Sequence, residues 1–409
     1  MKLKSILASA LGLCLLFALV AIAAPVSAEP VTVEFWHAMS GGHQDALVAL
    51  TDEFNATNGK EITVELVNQG GYGDLSKKLM ASVAADTLPD IAQVYNNWIA
   101  NYLDSVVALD DLIAADFDNY EDILQSYRDE GAEYGPTYTI AFNKSTQLYF
   151  YNKTKFEELG LTAPTTWEEL ENVGKVIYEA TGKPALGYDD LFAMFQQYVQ
   201  QNGGSFIVDD KIEFNSPEGI EALGFFLDMY NKGYARIAGE DNYHSGPFSN
   251  GDVYAYVGSS AGAAYIQPNG FEYGAAPLPK GSVKGSVPQA GTNIAMFTQD
   301  TAEQAAAWEY IKFLTSAEAT TEWAIATGYL PIRTSAFESE TYQAFMADSE
   351  VAQASYAQVD DQYFEPVFKN SSEARTLITT EVETAILEGK TAEEAVQTIA
   401  DKVQALLDK

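Results

Sequence analysis

The stretch VTVEFWHAMSGGHQDALVALTDEFNATNGKEITVELV, Val31–Val67, decides the fold because its pattern changes twice within 37 residues. Val31, Val33 and Phe35 alternate with polar residues, which is the period of a half-buried strand. Apolar residues then recur at helical spacing, and the β-branched run ITVELV closes the stretch. A strand, a helix and a second strand in this order form a βαβ unit, so the stretch predicts parallel pairing in an α/β protein.

The same alternation of strands and helices continues through most of the chain. DIAQVY, Asp90–Tyr95, indicates a third buried strand. Ser216 followed by Pro217 is typical of a helix start. Ser316 indicates another start, and that helix is expected to end at Gly328, since glycine accepts the left-handed conformation that terminates helices. The sequence therefore predicts mainly parallel sheets flanked by helices.

Length and charge narrow the possible partners. The chain has 409 residues, which exceeds the size of a single hydrophobic core and predicts two domains. It carries 58 acidic against 23 basic residues, a formal charge of −35. Such a surface repels nucleic acids and anionic lipid headgroups, so neither is expected as a partner.

The N-terminus has the features of an export signal. Two lysines precede an apolar stretch, and Val26–Ala28 offers a small-residue cleavage site. We therefore expect residues 1–28 to be a cleaved signal peptide and the mature protein to be periplasmic or otherwise extracytoplasmic. Cys14, the only cysteine, follows Leu13 rather than a small residue, so a lipid anchor is not expected.

Motifs of catalysis and of cofactor binding are not found in the sequence. His37, His43 and His244 show no metal-ligand spacing, and the chain contains no GxSxG, P-loop or strand-linked GxGxxG motif. We therefore expect no metal, no cofactor and no enzyme activity. A glycan hydrolase with two carboxylates facing across a cleft stays open as an alternative, because no motif is required for it.

The tyrosines offer a more positive signal. The chain has 24 of them, and several, such as Tyr72, Tyr95 and Tyr329, stand where a strand or helix ends. Core packing would explain any single one. Together they would also suit a cleft for a sugar or polyol, because ring faces cover C–H surfaces while polar tips satisfy hydroxyls.

Seven short motifs in order carry a resemblance to a known family: FWHAMSG, FNATN, LPDIAQVY, YFYNKTKFEELGL, PTTWEEL, FSNGDVYAYVGSS and ATGYLPIR. The chain resembles the substrate-binding proteins of bacterial ABC importers, in the carbohydrate branch that includes maltodextrin- and glycerol-3-phosphate-binding proteins. The resemblance implies a type II periplasmic-binding fold of two α/β lobes, each discontinuous in sequence. Residues 29–140 with 291–337 would form lobe 1, and residues 141–290 with 338–409 would form lobe 2.

The resemblance also implies a mechanism and partners. Crossing segments near Ile140, Gly291 and Phe337 would connect the lobes, which would close like a hinge around a small-molecule ligand. The membrane permease subunits of an ABC importer would then recognise the closed form. A monomer is expected.

The glycerol-3-phosphate-binding branch supplies candidate site positions. They are Tyr72, Asn96, Ser145, Asp189, Ser259, Gly291, Tyr329 and Arg375, with Trp36 and Phe192 as a possible aromatic platform. Arg375 would face a phosphate from an early turn of a helix capped by Ser371 or Ser372, where its charge and the helix dipole add.

Two departures from that branch leave the ligand open. Asn96 stands where the branch has a glutamate, and Asp189 and Phe192 stand near the positions of its paired tryptophans. The resemblance predicts glycerol-3-phosphate or a related glycerophosphodiester as the ligand. A neutral mono- or oligosaccharide is the alternative within the same class.

Overall fold

The computed structural model describes residues 30–208, 210–365, 367–368 and 370–408. The expected signal peptide, residues 1–28, lies outside the described residues. Within those ranges, no helix combines the length and the apolar character that crossing a membrane requires.

The described residues contain twelve strands, ten of which form one mixed sheet. They are β1 Val31–His37, β2 Ile62–Asn68, β3 Ile91–Val94, β4 Thr139–Asn152, β5 Leu186–Tyr188, β6 Ile207–Val208, β7 Lys211–Ile212, β8 Ala235–Ile237, β9 Ala255–Ser259, β10 Tyr273–Ala276, β11 Val287–Met296 and β12 Gln362–Tyr363.

Sixteen α-helices flank these strands in the described chain. They are α1 Gly41–Thr57, α2 Tyr72–Ala85, α3 Asp110–Asp116, α4 Gln125–Gly131, α5 Lys153–Glu158, α6 Trp167–Thr181, α7 Leu191–Gln201, α8 Pro217–Asn231, α9 Ser245–Ser249, α10 Thr301–Leu314, α11 Ala317–Thr327, α12 Thr334–Glu338, α13 Glu340–Ala347, α14 Glu350–Tyr356, α15 Ser371–Glu388 and α16 Ala392–Leu407.

The first βαβ unit has the predicted form. β1 and β2 pair in parallel with Val31 opposite Ile62, and α1 packs Leu47, Leu50 and Phe54 into the core beside them. The helix starts at Ser216 and Ser316 are also confirmed, since both side chains accept a backbone N–H of the first turn.

Two long strands hold the sheet together. The strand order is β2-β1-β3-β11-β4-β9-β5-β8, so β4 and β11 lie side by side at its centre. The first part of β4 pairs antiparallel with β11, and its last part pairs with β9 and β10. Both ends of the sheet are therefore connected through the β4–β11 ladder.

Separate hydrophobic clusters cover the two ends of this sheet. One contains Val33, Phe35 and Trp323 at the β1 end, and another contains Tyr149, Phe195 and other residues around β5 and α7. The division into residues 29–140 plus 291–337 and 141–290 plus 338–409 stays a prediction.

Gly291 fixes the closest approach within the β4–β11 ladder. Its φ is +96°, and a Cβ atom at this position would lie 1.9 Å from the backbone oxygen of Asn143. No side chain fits there without moving β4. The sequence analysis placed a ligand contact at Gly291, and the structure adds a purely conformational reason for the glycine.

We expect Gly291→Ala to lower the free energy of unfolding by at least about 2 kcal/mol, because it combines a positive φ with a backbone clash. Urea denaturation without ligand measures this loss. Gly135→Ala is the matched control, since Gly135 has a φ of +103° and no atom within 4 Å of the Cβ position. Equal losses in both variants would contradict the clash.

Candidate functional site

A cavity of about 370 Å³ opens where β4, β11, α7 and α15 meet. Residues from seven separate stretches of the chain line it. These residues are Tyr95, Asn96, Asn97, Trp98, Glu130, Gln147, Asp190, Ala193, Pro288, Gln289, Ala290, Gly291, Glu365, Ser372 and Arg375. The volume lies within the range of small-molecule sites, which is about 300–1,000 Å³.

Three of the candidate residues from the sequence line this cavity, namely Asn96, Gly291 and Arg375. Two more adjoin it. The ring of Tyr72 packs 5.1 Å from the ring of Tyr95, centroid to centroid, and its hydroxyl lies 3.5 Å from that of Tyr329.

The two candidate serines lie on strands next to the cavity wall. Ser145 is buried in β4 and pairs with Ala290, while Ser259 ends β9 and pairs with Gln147. Both partners line the cavity. Ser145 also precedes Gln147 by two residues, so the two share a face of β4.

The other candidates have different surroundings. Asp189 accepts hydrogen bonds from the backbone N–H and Nδ1 of buried His244, at 2.7 and 3.0 Å. Phe192 is buried, and the Arg375 guanidinium lies 4.6 Å above its ring. Trp36 lies outside the cavity lining and donates its indole N–H to Glu34.

Arg375 enters the cavity already paired. It forms ion pairs with Asp190 and Glu365, and its side chain keeps 32% exposure. Burial alone would lower the pKa of Arg375, but the two carboxylates outweigh it and raise that pKa. Burial also raises the pKa of Glu365, against the influence of Arg375.

The expected cap of the Arg375 helix is wrong. α15 begins at Ser371, and the residue before it, Asn370, has a φ of +57° and makes no side-chain capping bond. Ser371 and Ser372 therefore lie inside the first turn. A left-handed asparagine, rather than a serine hydroxyl, starts this helix.

The cavity has a surplus of hydrogen-bond acceptors. Among its described lining residues, one cation, Arg375, faces three carboxylates, those of Glu130, Asp190 and Glu365. Three amide oxygens on the lining, Asn97 Oδ1, Gln147 Oε1 and Gln289 Oε1, are buried and have no hydrogen-bond partner among the described residues. Buried polar atoms are almost always satisfied in native proteins, so these oxygens are available to accept hydrogen bonds from a ligand or from water.

Glu133 supports the wall behind Asn96. Its two carboxylate oxygens accept from Asn96 Nδ2 at 3.0 Å and from the backbone N–H of Val367 at 2.5 Å. Burial raises the pKa of Glu133 to about 7, and these two hydrogen bonds only partly oppose the shift. The neighbouring charge of Glu130 adds to the increase.

Most of the acceptors were missed by the sequence analysis. Gln289 stands two residues before Gly291, and Asp190 directly follows Asp189, so both adjoin a candidate position. Tyr95 carried a signal of its own as an aromatic residue at a strand end. Glu365 lies in an irregular segment and has no pattern that could have identified it.

The chain matches the family model described as bacterial extracellular solute-binding protein over residues 49–353. The chain belongs to this family. It is thus a solute-binding protein of the ABC-importer class and not an enzyme. Proteins of this family act outside the cytoplasm, and so does this one.

Relatives and solved structures agree with this assignment. The sn-glycerol-3-phosphate-binding periplasmic protein UgpB of Salmonella typhimurium is 27% identical over 431 residues, covering 98% of this chain and 97% of that protein. UgpB of Pectobacterium atrosepticum is 26% identical over 424 residues, covering 96% of this chain and 94% of that one.

Two solved structures share the fold over most of the chain. The cyclic alpha-maltosyl-1,6-maltose binding protein from Arthrobacter globiformis has a TM-score of 0.81 and 28% identity, covering 92% of this chain and 99% of that one. UgpB from Mycobacterium tuberculosis, in complex with glycerophosphocholine, has a TM-score of 0.83 and 25% identity, covering 92% and 98%. The two-lobed α/β fold expected from the sequence is confirmed.

We expect Glu133 to make stability depend on pH. Its pKa is raised from 4.5 to about 7 in the folded chain, so folding takes up a proton between these values. The wild type should therefore lose stability relative to Glu133→Gln as pH rises from 4.5 through 7, by about 1–2 kcal/mol after solvent screening, and the loss should level off once the pH is well above 7. Urea denaturation at four pH values measures the difference.

Glu133→Gln also loses one hydrogen-bond acceptor. This loss shifts the free energy of unfolding of the variant by a constant amount at every pH. Glu388→Gln, which alters an exposed carboxylate, serves as the control and should follow the wild type. A constant difference between wild type and Glu133→Gln across this range would contradict the raised pKa.

Proposed function

We propose that the protein is the receptor of an ABC importer for an uncharged, polyhydroxylated ligand, either a monosaccharide or a short oligosaccharide. The surplus of acceptors on the cavity wall carries this proposal. A sugar hydroxyl donates to an amide oxygen or a carboxylate and can also accept from a guanidinium, so one chemical group satisfies both kinds of wall atom.

The aromatic residues of the wall support the same ligand class. Tyr95 and Trp98 are half-buried, line the cavity and pack edge to face with centroids 5.2 Å apart. Such rings cover the C–H faces of a pyranose while the surrounding amides hold its hydroxyls. The similarity to a cyclic alpha-maltosyl-1,6-maltose binding protein is consistent with this proposal.

A glycerophosphodiester is the second candidate, favoured by Arg375 and by the relatives that bind glycerol-3-phosphate. A zwitterionic diester such as glycerophosphocholine would bring its phosphate to Arg375 and its cationic group to the carboxylates. Glycerol-3-phosphate itself is a poorer fit, since its dianion would stand beside Asp190 and Glu365 with no second cation among the described lining residues.

We further propose that residues 1–28 are removed on export, that the mature protein is a monomer and that permease subunits recognise its ligand-bound form. In this scheme the cleft closes by bending at β4 and β11. The sequence candidates Tyr72, Tyr329 and Ser145 would then contribute from the margins of the cavity.

A thermal-shift panel tests the ligand class. With maltose, trehalose, glycerophosphocholine and glycerol-3-phosphate as probes, we expect a neutral sugar to stabilise the protein and glycerol-3-phosphate to have little effect. A ligand at 100 times its dissociation constant adds about 2.7 kcal/mol to the free energy of unfolding. Stabilisation by the phosphate compounds alone would reject the sugar proposal.

Asp190→Asn tests the electrostatic part of the argument. The asparagine keeps the hydrogen bond that Asp190 Oδ1 accepts from Ala193 N at the start of α7, but it removes one negative charge beside Arg375. We expect glycerol-3-phosphate, whose binding to the wild type is weak, to bind Asp190→Asn at least about threefold more tightly in calorimetry at high ligand concentration. The control is Asp228→Asn, at an exposed ion pair of Lys232. An unchanged affinity in Asp190→Asn would show that Arg375 is not restrained by this carboxylate.

A further inference from the structure

Lys144 is a buried lysine at the centre of the sheet. Its side chain has no exposed surface, and it lies on β4 opposite Gly291 of β11. Its backbone oxygen accepts from Leu330 N at 2.7 Å, so three chain segments meet at this residue. An ammonium group only donates hydrogen bonds, and every atom that is hydrogen-bonded to it must therefore be an acceptor.

One hydrogen-bond branch runs from Lys144 to Gln289 on the cavity wall. Glu130 Oε2 accepts from Lys144 Nζ at 2.6 Å and from Gln289 Nε2 at 3.0 Å. Because the Gln289 amide nitrogen donates to the Glu130 carboxylate, the amide oxygen is the atom left to face the cavity. That oxygen is buried and has no partner in the described chain.

A second branch runs from Lys144 to Asn96. Lys144 Nζ donates to Asn293 Oδ1 at 3.3 Å, which leaves Asn293 Nδ2 to donate to Thr139 Oγ1 at 3.0 Å. The Thr139 hydroxyl then donates to Asn96 Oδ1 at 3.3 Å, and Asn96 Nδ2 donates to Glu133 at 3.0 Å. The lysine fixes the first step, because Asn293 must present its oxygen to the ammonium group. The Thr139 hydroxyl passes this direction on by accepting from Asn293 Nδ2 and donating to Asn96 Oδ1.

We propose that Lys144 is a positioning residue that fixes which ends of the Gln289 and Asn96 amides act as donors and which as acceptors. An amide side chain can present either end to a ligand, and the two ends select opposite ligand groups. With Lys144 in place, Gln289 presents an acceptor to the cavity. The site then selects a ligand that carries a hydroxyl donor at this point, a conclusion that rests on the proposed function.

Two variants separate this role from the stability of an ion pair. In Glu130→Gln, the amide oxygen can replace Oε2 and accept from both Lys144 and Gln289, so the orientation is kept while the negative charge is lost. Adding Lys144→Met gives a double variant that leaves no unpaired buried charge. It also has no ammonium group to hold the oxygen of the residue-130 amide in place. The two proteins differ only in the lysine, and Lys402→Met, at a remote pair with Glu381, is the control for losing a paired lysine.

The Gln289 side-chain amide provides a readout that needs no ligand. With selective ¹⁵N-glutamine labelling, Gln289→Leu identifies its NH₂ signals by their loss. We expect these protons to be protected from solvent exchange in the wild type and in Glu130→Gln, and to lose protection at least tenfold in the double variant. Equal protection in the double variant and the wild type would overturn the proposal.

Maltose and its monodeoxyfluoro analogues provide the ligand readout, since fluorine cannot donate a hydrogen bond and all these probes are uncharged. In the wild type and in Glu130→Gln, we expect fluorination at one position to weaken binding about three- to tenfold, the worth of one hydrogen bond. In the double variant this difference should fall below twofold. The same fluorine penalty in all three proteins would contradict the role of Lys144.

The two readouts separate an error in the proposed ligand class from an error in the proposed role of Lys144. If maltose and the other neutral sugars do not bind the wild type, the proposed function is wrong, and the amide protection alone still decides the role of Lys144. If maltose binds and the protection does not depend on the lysine, the proposed function stands and this inference is wrong.

Discussion

The antiparallel ladder between β4 and β11 is the constraint on which the rest of the structure depends. It joins the two ends of the sheet, and its register puts Gly291 opposite Lys144 and Gln289 opposite Thr146. Because the strands approach so closely at Gly291, small movements of one strand must be followed by the other. The cavity wall and the connection between the two ends of the sheet are thus formed by the same backbone.

This arrangement explains why one positive charge is not enough to define a phosphate site. Arg375 is the fifth residue of α15, close to the helix end whose dipole favours anions, yet Asp190 and Glu365 already hold its guanidinium. A phosphate would have to compete with both carboxylates or share the arginine with them. Hydroxyl groups face no such conflict, since they can join the existing network as donors.

The fold could be predicted from the sequence further than the site could. Local patterns determine β1, α1 and β2, and helix starts such as Ser316 depend only on neighbouring residues. The pairing of Asp190 with Arg375 joins residues 185 positions apart, and no local pattern encodes it. The conformation of Asn370 was likewise missed. Asparagine and serine are both common at helix starts, so the sequence Asn370-Ser371-Ser372 does not show which residue precedes the helix.

A buried ion pair such as Lys144 with Glu130 is weak evidence for stability. Removing two charges from water costs several kcal/mol per ion, and apolar residues of equal volume often stabilise a core as well or better. What an apolar pair could not supply is direction, since an ammonium group that only donates and a carboxylate that only accepts each fix which end of a neighbouring amide they bind. The lysine is therefore better explained by the side chains that it orders at the cavity than by the energy of its own bond.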